Sequence, residues 1–321
     1  MFPFHTWLPD TYNEAPTSVT IVLAGAMGKL GVYGFYRFVL PLFPDLSRQA
    51  APAFVWLGVA AIIYGALIAS VQKDVKRVLA YSSVSHLGFI IMGLFSGTAH
   101  GVSGALIQTI NHGVTTGALF LIAGIIEERR GTSRIAALGG LWEQMPVFGR
   151  IFLIVTFSSI ALPLTNGFVG EFLILLGTFQ THPLAAGLAT TGVIWSAVYM
   201  LIMFQKVMYG GVTKAENRRL RDLSGVEVLQ LAPFVLAIFL LGIAPTVFTK
   251  LADPSVMETV NRLQPKSSGG GIPVITPSLT DEPVAPTESP LTPLGGAENP
   301  SESPTERGTL DVPSIEAPAT P

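Results

Sequence analysis

Apolar residues run in long blocks through the first 250 positions, with short polar clusters between them. A block of about 20 apolar residues crosses the hydrocarbon core of a bilayer as a helix. Seven blocks meet that length, over 17–40, 53–71, 78–96, 101–126, 151–180, 185–208 and 228–249. The pattern predicts an all-α fold, a polytopic membrane helix bundle of about seven transmembrane helices. The block 151–180 is long and is interrupted by LPLTNG at 162–167. Pro163 lacks the N–H that a helix uses, and Gly167 tolerates unusual backbone angles. One broken helix is expected there. Irregular backbone at membrane depth survives only inside protein or beside a water-filled cavity.

The polar clusters alternate in charge. Lys73, Lys76 and Arg77 follow the second block, Arg129, Arg130, Arg134 and Arg150 lie between the fourth and fifth, and Lys214, Arg218, Arg219 and Arg221 precede the seventh. The intervening clusters hold Arg48 and little else that is cationic. Cytoplasmic loops carry the excess of Lys and Arg. Residues 1–16 are then a cytoplasmic lead-in segment, 17–250 the transmembrane domain, and the C-terminus emerges on the exoplasmic side. Residues 251–321 are expected to form a disordered tail rich in Pro, Ser and Glu. From 264 onward the chain holds 12 of its 24 prolines, eight acids against two bases, and no aromatic residue. Such a stretch cannot bury enough apolar surface to offset its ordering entropy.

Composition narrows the chemistry. Charged residues make up 12% of the chain, about half the usual globular share of roughly 25%. There is no cysteine, which excludes thiolate metal sites, iron–sulfur clusters and cysteine nucleophiles. The N-terminus shows neither the basic nor the apolar region of a cleavable signal peptide. No phosphate-binding loop, dinucleotide fingerprint, metal-ligand cluster or hydrolase triad is present. No catalytic residue, cofactor-binding residue or metal ligand is expected in this chain.

Four ionisable residues stand deep inside the apolar blocks, away from their ends. Lys29 lies near the centre of IVLAGAMGKLGVYGF, too deep to lift its ammonium to the interface, with glycines at 25, 28, 31 and 34 thinning the helix around it. Glu171 follows the expected helix break. A buried carboxyl feels desolvation and any nearby cation in opposite senses, so its proton affinity can be balanced. His86 lies beside Ser82, Ser83 and Ser85, and His112 lies among Gln108, Thr109, Asn111, Thr115 and Thr116. A charge at the bilayer centre costs about 2.5–3.5 kcal/mol on insertion scales, and such residues mark ion and proton routes. Each has a plainer reading, a packing or capping carboxylate for Glu171 and an interhelical hydrogen bond for each histidine. Together they suggest a proton path through Lys29, His86, His112 and Glu171. Arg37 and Lys206 read as interface anchors, and His5, His100 and His182 as solvated loop residues.

Several stretches carry a resemblance. PFHTWLPD (3–10), EAPT (14–17), LAGAMGKLGVYGFYRF (23–38), DVKRVLAYSSVSHLGF (74–89), NHGVTTGALF (111–120) and NGFVGEFLIL (166–175) resemble the antiporter-like proton-pumping membrane subunits of respiratory complex I, the NADH:quinone oxidoreductase. Among these the chain is similar to the chain M type, the counterpart of mitochondrial subunit four. The resemblance runs to about residue 250. It implies two inverted repeats of five helices in a fourteen-helix subunit, of which this chain looks like the C-terminal half. Its proton-path lysine falls on Lys29, its histidines on His86 and His112, and its twelfth-helix acid on Glu171, a lysine in sister subunits. Its partner pair of a fifth-helix glutamate and a seventh-helix lysine would lie upstream of residue 1, which implies a fragment, a misassigned start or half of a split gene.

The resemblance also implies a bacterial inner membrane and neighbouring antiporter-like subunits as partners, with no nucleic acid. NADH, flavin, iron–sulfur clusters and quinone are expected in partner subunits. Two alternatives stand beside it. One is a subunit of a multi-subunit cation/proton antiporter or of a membrane-bound hydrogenase. The other is a membrane scaffold without transport.

Overall fold

The computed structural model of the chain describes residues 2–264. Helix α1 (Trp7–Glu14) leads into the first apolar block, which is not one continuous helix. It divides into α2 (Thr17–Gly25), a 3₁₀ turn (Met27–Lys29), α3 (Leu30–Gly34), a π-helical turn (Phe35–Val39) and α4 (Leu40–Leu42). Long helices α5 (Pro44–Ser70), α6 (Val75–Leu94) and α7 (Ala99–Arg130) follow. A short α8 (Leu141–Gln144) precedes two half-length helices, α9 (Pro146–Ser159) and α10 (Asn166–Thr181). Helices α11 (Pro183–Met208), α12 (Gly225–Ile243) and α13 (Thr246–Leu263) come last. Among the described residues six helical runs are long and apolar enough to cross a membrane. The pair α9 and α10 supplies the seventh crossing as the expected broken helix.

The break spans residues 160–165. Its unusual angles fall on Ala161 (φ 57°) and Leu164 (φ 77°), flanking Pro163. Left-handed backbone at residues with side chains costs about 1–3 kcal/mol each and persists only where the surroundings impose it. Gly167 does something different from the expected role. It lies inside α10, and a Cβ there would collide with the Ser158 carbonyl, so the glycine permits close return of α10 onto the end of α9.

Helices α6 and α7 form the centre. Nearly every side chain of α6 from Val75 to Leu94 is buried. Close approach depends on small residues, because van der Waals packing replaces the hydrophobic drive inside a bilayer. Gly58 of α5 lies against Gly88 of α6, and Gly65 against Ser85. On the other side, Gly101 and Gly104 of α7 meet Gly177 and Ile174 of α10.

The cation-rich clusters gather at one end. Arg129 Nη2 holds both carboxylate oxygens of Glu227 at 2.7 and 2.6 Å, while Glu227 closes a capping box with Ser224 at the start of α12. Arg130 bonds Asn217 at 2.7 Å, Asp222 accepts from the backbone N–H groups of Val147 and Phe148, and Val75 N–H donates to Ser133. The opposite end carries Arg48, Ser96, His182 and Leu263 around a cavity of about 270 Å³. The alternation of charge along the sequence is therefore realised as two chemically distinct ends.

Three expectations change. Residues 251–263 are helical, not tail: α13 buries Val256, Thr259 and Val260, and Ser255 takes a 2.8 Å bond with the Tyr36 hydroxyl. Composition hid an amphipathic helix with Val256 and Val260 one turn apart on a shared face. The remainder of the expected tail, 265–321, lies outside the described residues. His5 is 4% exposed rather than solvated, packed edge-on against Tyr64 at 4.9 Å, and burial lowers its pKa. Lys76 is not a loop cation. It is buried in the first turn of α6, paired with Glu127 at 2.5 Å.

Removing one partner of such a pair strands the other. Lys76→Met is expected to destabilise the folded chain by about 1–3 kcal/mol, below the full buried-pair cost because the Glu127 side chain is 39% exposed. Thermal unfolding in detergent measures it, and an unchanged midpoint would show that the pair contributes nothing.

Candidate proton path

Lys29 sits where its helix changes pitch. Its backbone N–H bonds the Ala26 carbonyl at 3.0 Å, a 3₁₀ contact, and its ammonium donates to the carbonyl of Ala24. The side chain is buried, at 8% exposure. Short 3₁₀ and π segments within a long helix often mark functional sites. Tyr12 of α1 supports the turn: its hydroxyl donates to the Leu23 carbonyl at 3.4 Å, and burial pushes its pKa up to about 12, so it remains a donor. Of the four glycines near Lys29, Gly25 packs on Gly113 of α7 and Gly28 on Tyr12, whereas Gly31 and Gly34 face open space. Lys29 lines a groove of about 480 Å³ among α2, α7 and α12, which Gly113 and Phe234 also line.

The other three residues meet in the middle of the bundle. His86 Nδ1 of α6 is 2.8 Å from Glu171 Oε1 of α10. The Gln108 amide of α7 donates to the same oxygen at 3.2 Å. The rings of His86 and His112 lie 5.5 Å apart, tilted by 47°. All three are buried: Glu171 is 2% exposed, His86 4% and His112 5%. The side chain of Lys29 lies against Gly113 of α7, the residue after His112. His112, His86 and Glu171 thus lie in file across α7, α6 and α10, with Lys29 beside the residue that follows His112.

Polar atoms line this file. His86 Nε2, Gln108 Oε1, Asn111 Oδ1, both His112 ring nitrogens and Glu171 Oε2 have no protein partner among the described residues. Several of them border a small cavity of about 10 Å³, between His86, Gln108, Asn111, His112, Thr115 and Ser158. That is room for about one water centre in a polar site. Groups that exchange protons through water need this combination of titratable nitrogens and uncommitted acceptors.

Other expected residues fall elsewhere. Lys206 is exposed at the end of α11, and Arg37 is exposed in the π turn. His100 is exposed and His182 half-buried near the opposite end. Among the described residues no group of three or more His, Asp or Glu side chains could hold a metal ion. The sequence did not single out Asn166 or Ser158, and gave Gln108 only as part of a polar stretch. Gln108 earns its place from the spacing of α7 against α10, which no single segment displays.

A protein of Rickettsia typhi, named NADH-quinone oxidoreductase subunit M, is 47% identical over 245 residues, covering 76% of this chain and 50% of the relative. The chain spans about half the length of the curated relatives it matches. A chain in the structure of respiratory complex I from Thermus thermophilus with bound NADH superposes with a TM-score of 0.78 at 37% identity, over 82% of this chain and 56% of that one. A chain of the Mrp complex from Dietzia sp. DQ12-45-1b shares the fold, with a TM-score of 0.75 at 20% identity, over 81% and 56%. Residues 1–198 match the family described as NADH:quinone oxidoreductase/Mrp antiporter, transmembrane. With its helical architecture and its broken crossing, the chain belongs to the NADH:quinone oxidoreductase/Mrp antiporter transmembrane family.

Proposed function

We propose that this chain moves protons within a NADH:quinone oxidoreductase, along Lys29, His112, His86 and Glu171. The observation that carries the reading is the 2.8 Å contact between His86 and Glu171, continued by the His86–His112 pair toward Lys29. Each side chain holds or releases a proton at a defined atom: the ammonium of Lys29, the ring nitrogens of the histidines, and the carboxyl of Glu171. The chain's own part is carriage; electron transfer belongs to partner subunits that hold NADH, flavin, iron–sulfur clusters and quinone. Rearrangement in a neighbouring subunit would reset pairing along the file. A change of one pKa unit corresponds to about 1.4 kcal/mol, so small movements redirect a proton.

The setting we propose is a bacterial inner membrane, with the cation-rich end cytoplasmic by the positive-inside rule and the described chain ending on the exoplasmic side. Neighbouring antiporter-like membrane subunits are the partners. A role in a cation/proton antiporter complex has the fold in its favour, but the 47% identity to a subunit M favours the oxidoreductase. Purification of the native complex through this chain, with mass spectrometry of what comes with it, separates them. Subunits that bind flavin and iron–sulfur clusters are expected; antiporter subunits alone would overturn the assignment.

A further inference from the structure

We infer that Asn111 and Asn166 form a clasp that positions Glu171 against His86, an inference that rests on the proton path proposed above. The two asparagines bond reciprocally. Asn111 Nδ2 donates to the backbone carbonyl of Asn166 at 2.6 Å, and Asn166 Nδ2 donates to the backbone carbonyl of Asn111 at 3.1 Å. Asn166 Nδ2 also donates to Thr115 Oγ1 at 3.2 Å, and the Ser158 hydroxyl donates to Asn166 Oδ1 at 2.5 Å. Asn166 is fully buried, and Asn111 is 1% exposed. Both donors and the acceptor of the Asn166 amide are therefore committed, and they tie together α7, the last turn of α9 and the first turn of α10.

Contacts along α7 and α10 form a single antiparallel register. Asn111 meets Asn166, Gln108 meets Gly170 and Glu171, Gly104 meets Ile174, and Gly101 meets Gly177. The paired numbers rise on one helix as they fall on the other. The glycine rungs allow the helices to come close, but they carry no directional bond that resists sliding or rotation. Direction enters only through amide groups, and the clasp is the rung nearest the break, where α10 has no continuous helix to hold it. Asn111 and Gln108 are three residues apart on one face of α7. Fixing Asn166 on Asn111 therefore fixes Glu171 on Gln108 and, through the same carboxylate oxygen, on His86. Asn111 and Asn166 are positioning residues, since neither touches the Glu171 carboxyl.

The natural chain contains no ionisable group within the clasp itself, so its contribution can be read from the titration of Glu171. In the complex purified through this chain, the infrared band of the protonated Glu171 carboxyl is assigned by its loss in Glu171→Gln, and its pH midpoint is measured in each variant. Asn166→Ala and Asn111→Ala are each expected to move that midpoint by about half a unit or more and to lower proton translocation by up to about 100-fold. The double variant is expected to be worse than either single, because each side chain donates to the other residue's backbone carbonyl and each truncation removes only its own bond. Ser158→Ala, which removes one hydroxyl and leaves the amides in place, gives a smaller shift and serves if Asn166→Ala fails to assemble.

An unchanged midpoint in Asn111→Ala together with Asn166→Ala or, where that variant fails to assemble, Ser158→Ala, would overturn the clasp. If instead the midpoint moves with the clasp while Glu171→Gln translocates normally, the positioning stands and the proton-path reading falls.

Discussion

Lys29→Ala is expected to abolish proton translocation by the complex that contains this chain, while Lys206→Ala is expected to leave it nearly intact. Both residues are lysines in apolar helices, and their surroundings decide the difference. Lys29 is buried at the turn between α2 and α3, against the residue next to His112. Lys206 is exposed at the end of α11, where an ammonium reaches water at small cost. The loss at Lys29 is expected to be at least about 100-fold, the usual weight of a positioned proton carrier. Proton uptake per NADH oxidised, in vesicles carrying each variant, measures it. Equal effects at the two positions would show that burial among α2 and α7 does not select the carrier.

Glu171→Gln is the second large effect, and it separates carriage from architecture. Glutamine keeps the size of the side chain and can still bond Gln108 and His86, the partners at 3.2 and 2.8 Å, but it has no proton to exchange. Assembly is expected to survive and translocation to fall by about 100-fold or more. Glu171→Ala would lose both bonds as well, leaving His86 Nδ1 and the Gln108 amide unpaired in the interior at about 1–3 kcal/mol each. Equal translocation in Glu171→Gln and the natural chain would remove Glu171 from the path and leave it a packing carboxylate.

The crossings were legible because membrane spans announce themselves over some twenty positions, and the break was legible because Pro163 stands where a helix needs an N–H. Lys29, His86, His112 and Glu171 stood out because ionisable residues are rare inside apolar blocks. What the sequence hid depends on pairing between segments. The pitch change at Lys29 reads as an ordinary apolar helix, since its glycines fit a continuous helix equally well. Lys76 looked like a loop cation because Glu127, its partner, is 51 positions away. Asn166 gains its meaning from Asn111, 55 positions earlier. Helix α13 was obscured by Pro254 and by the polar composition that follows it.

The crowding of long-range ion pairs at the cation-rich end has a mechanical consequence. Arg129 to Glu227, Arg130 to Glu216, Lys76 to Glu127 and Arg77 to Asp10 each join separate elements there, whereas the charge pairs near the other end, Arg48 with Asp45 and Arg262 with Glu258, are local to one helix. The bundle is riveted at one rim and held chiefly by packing at the other. Strain applied to the bundle is therefore expected to open the packed rim before the ion-paired one.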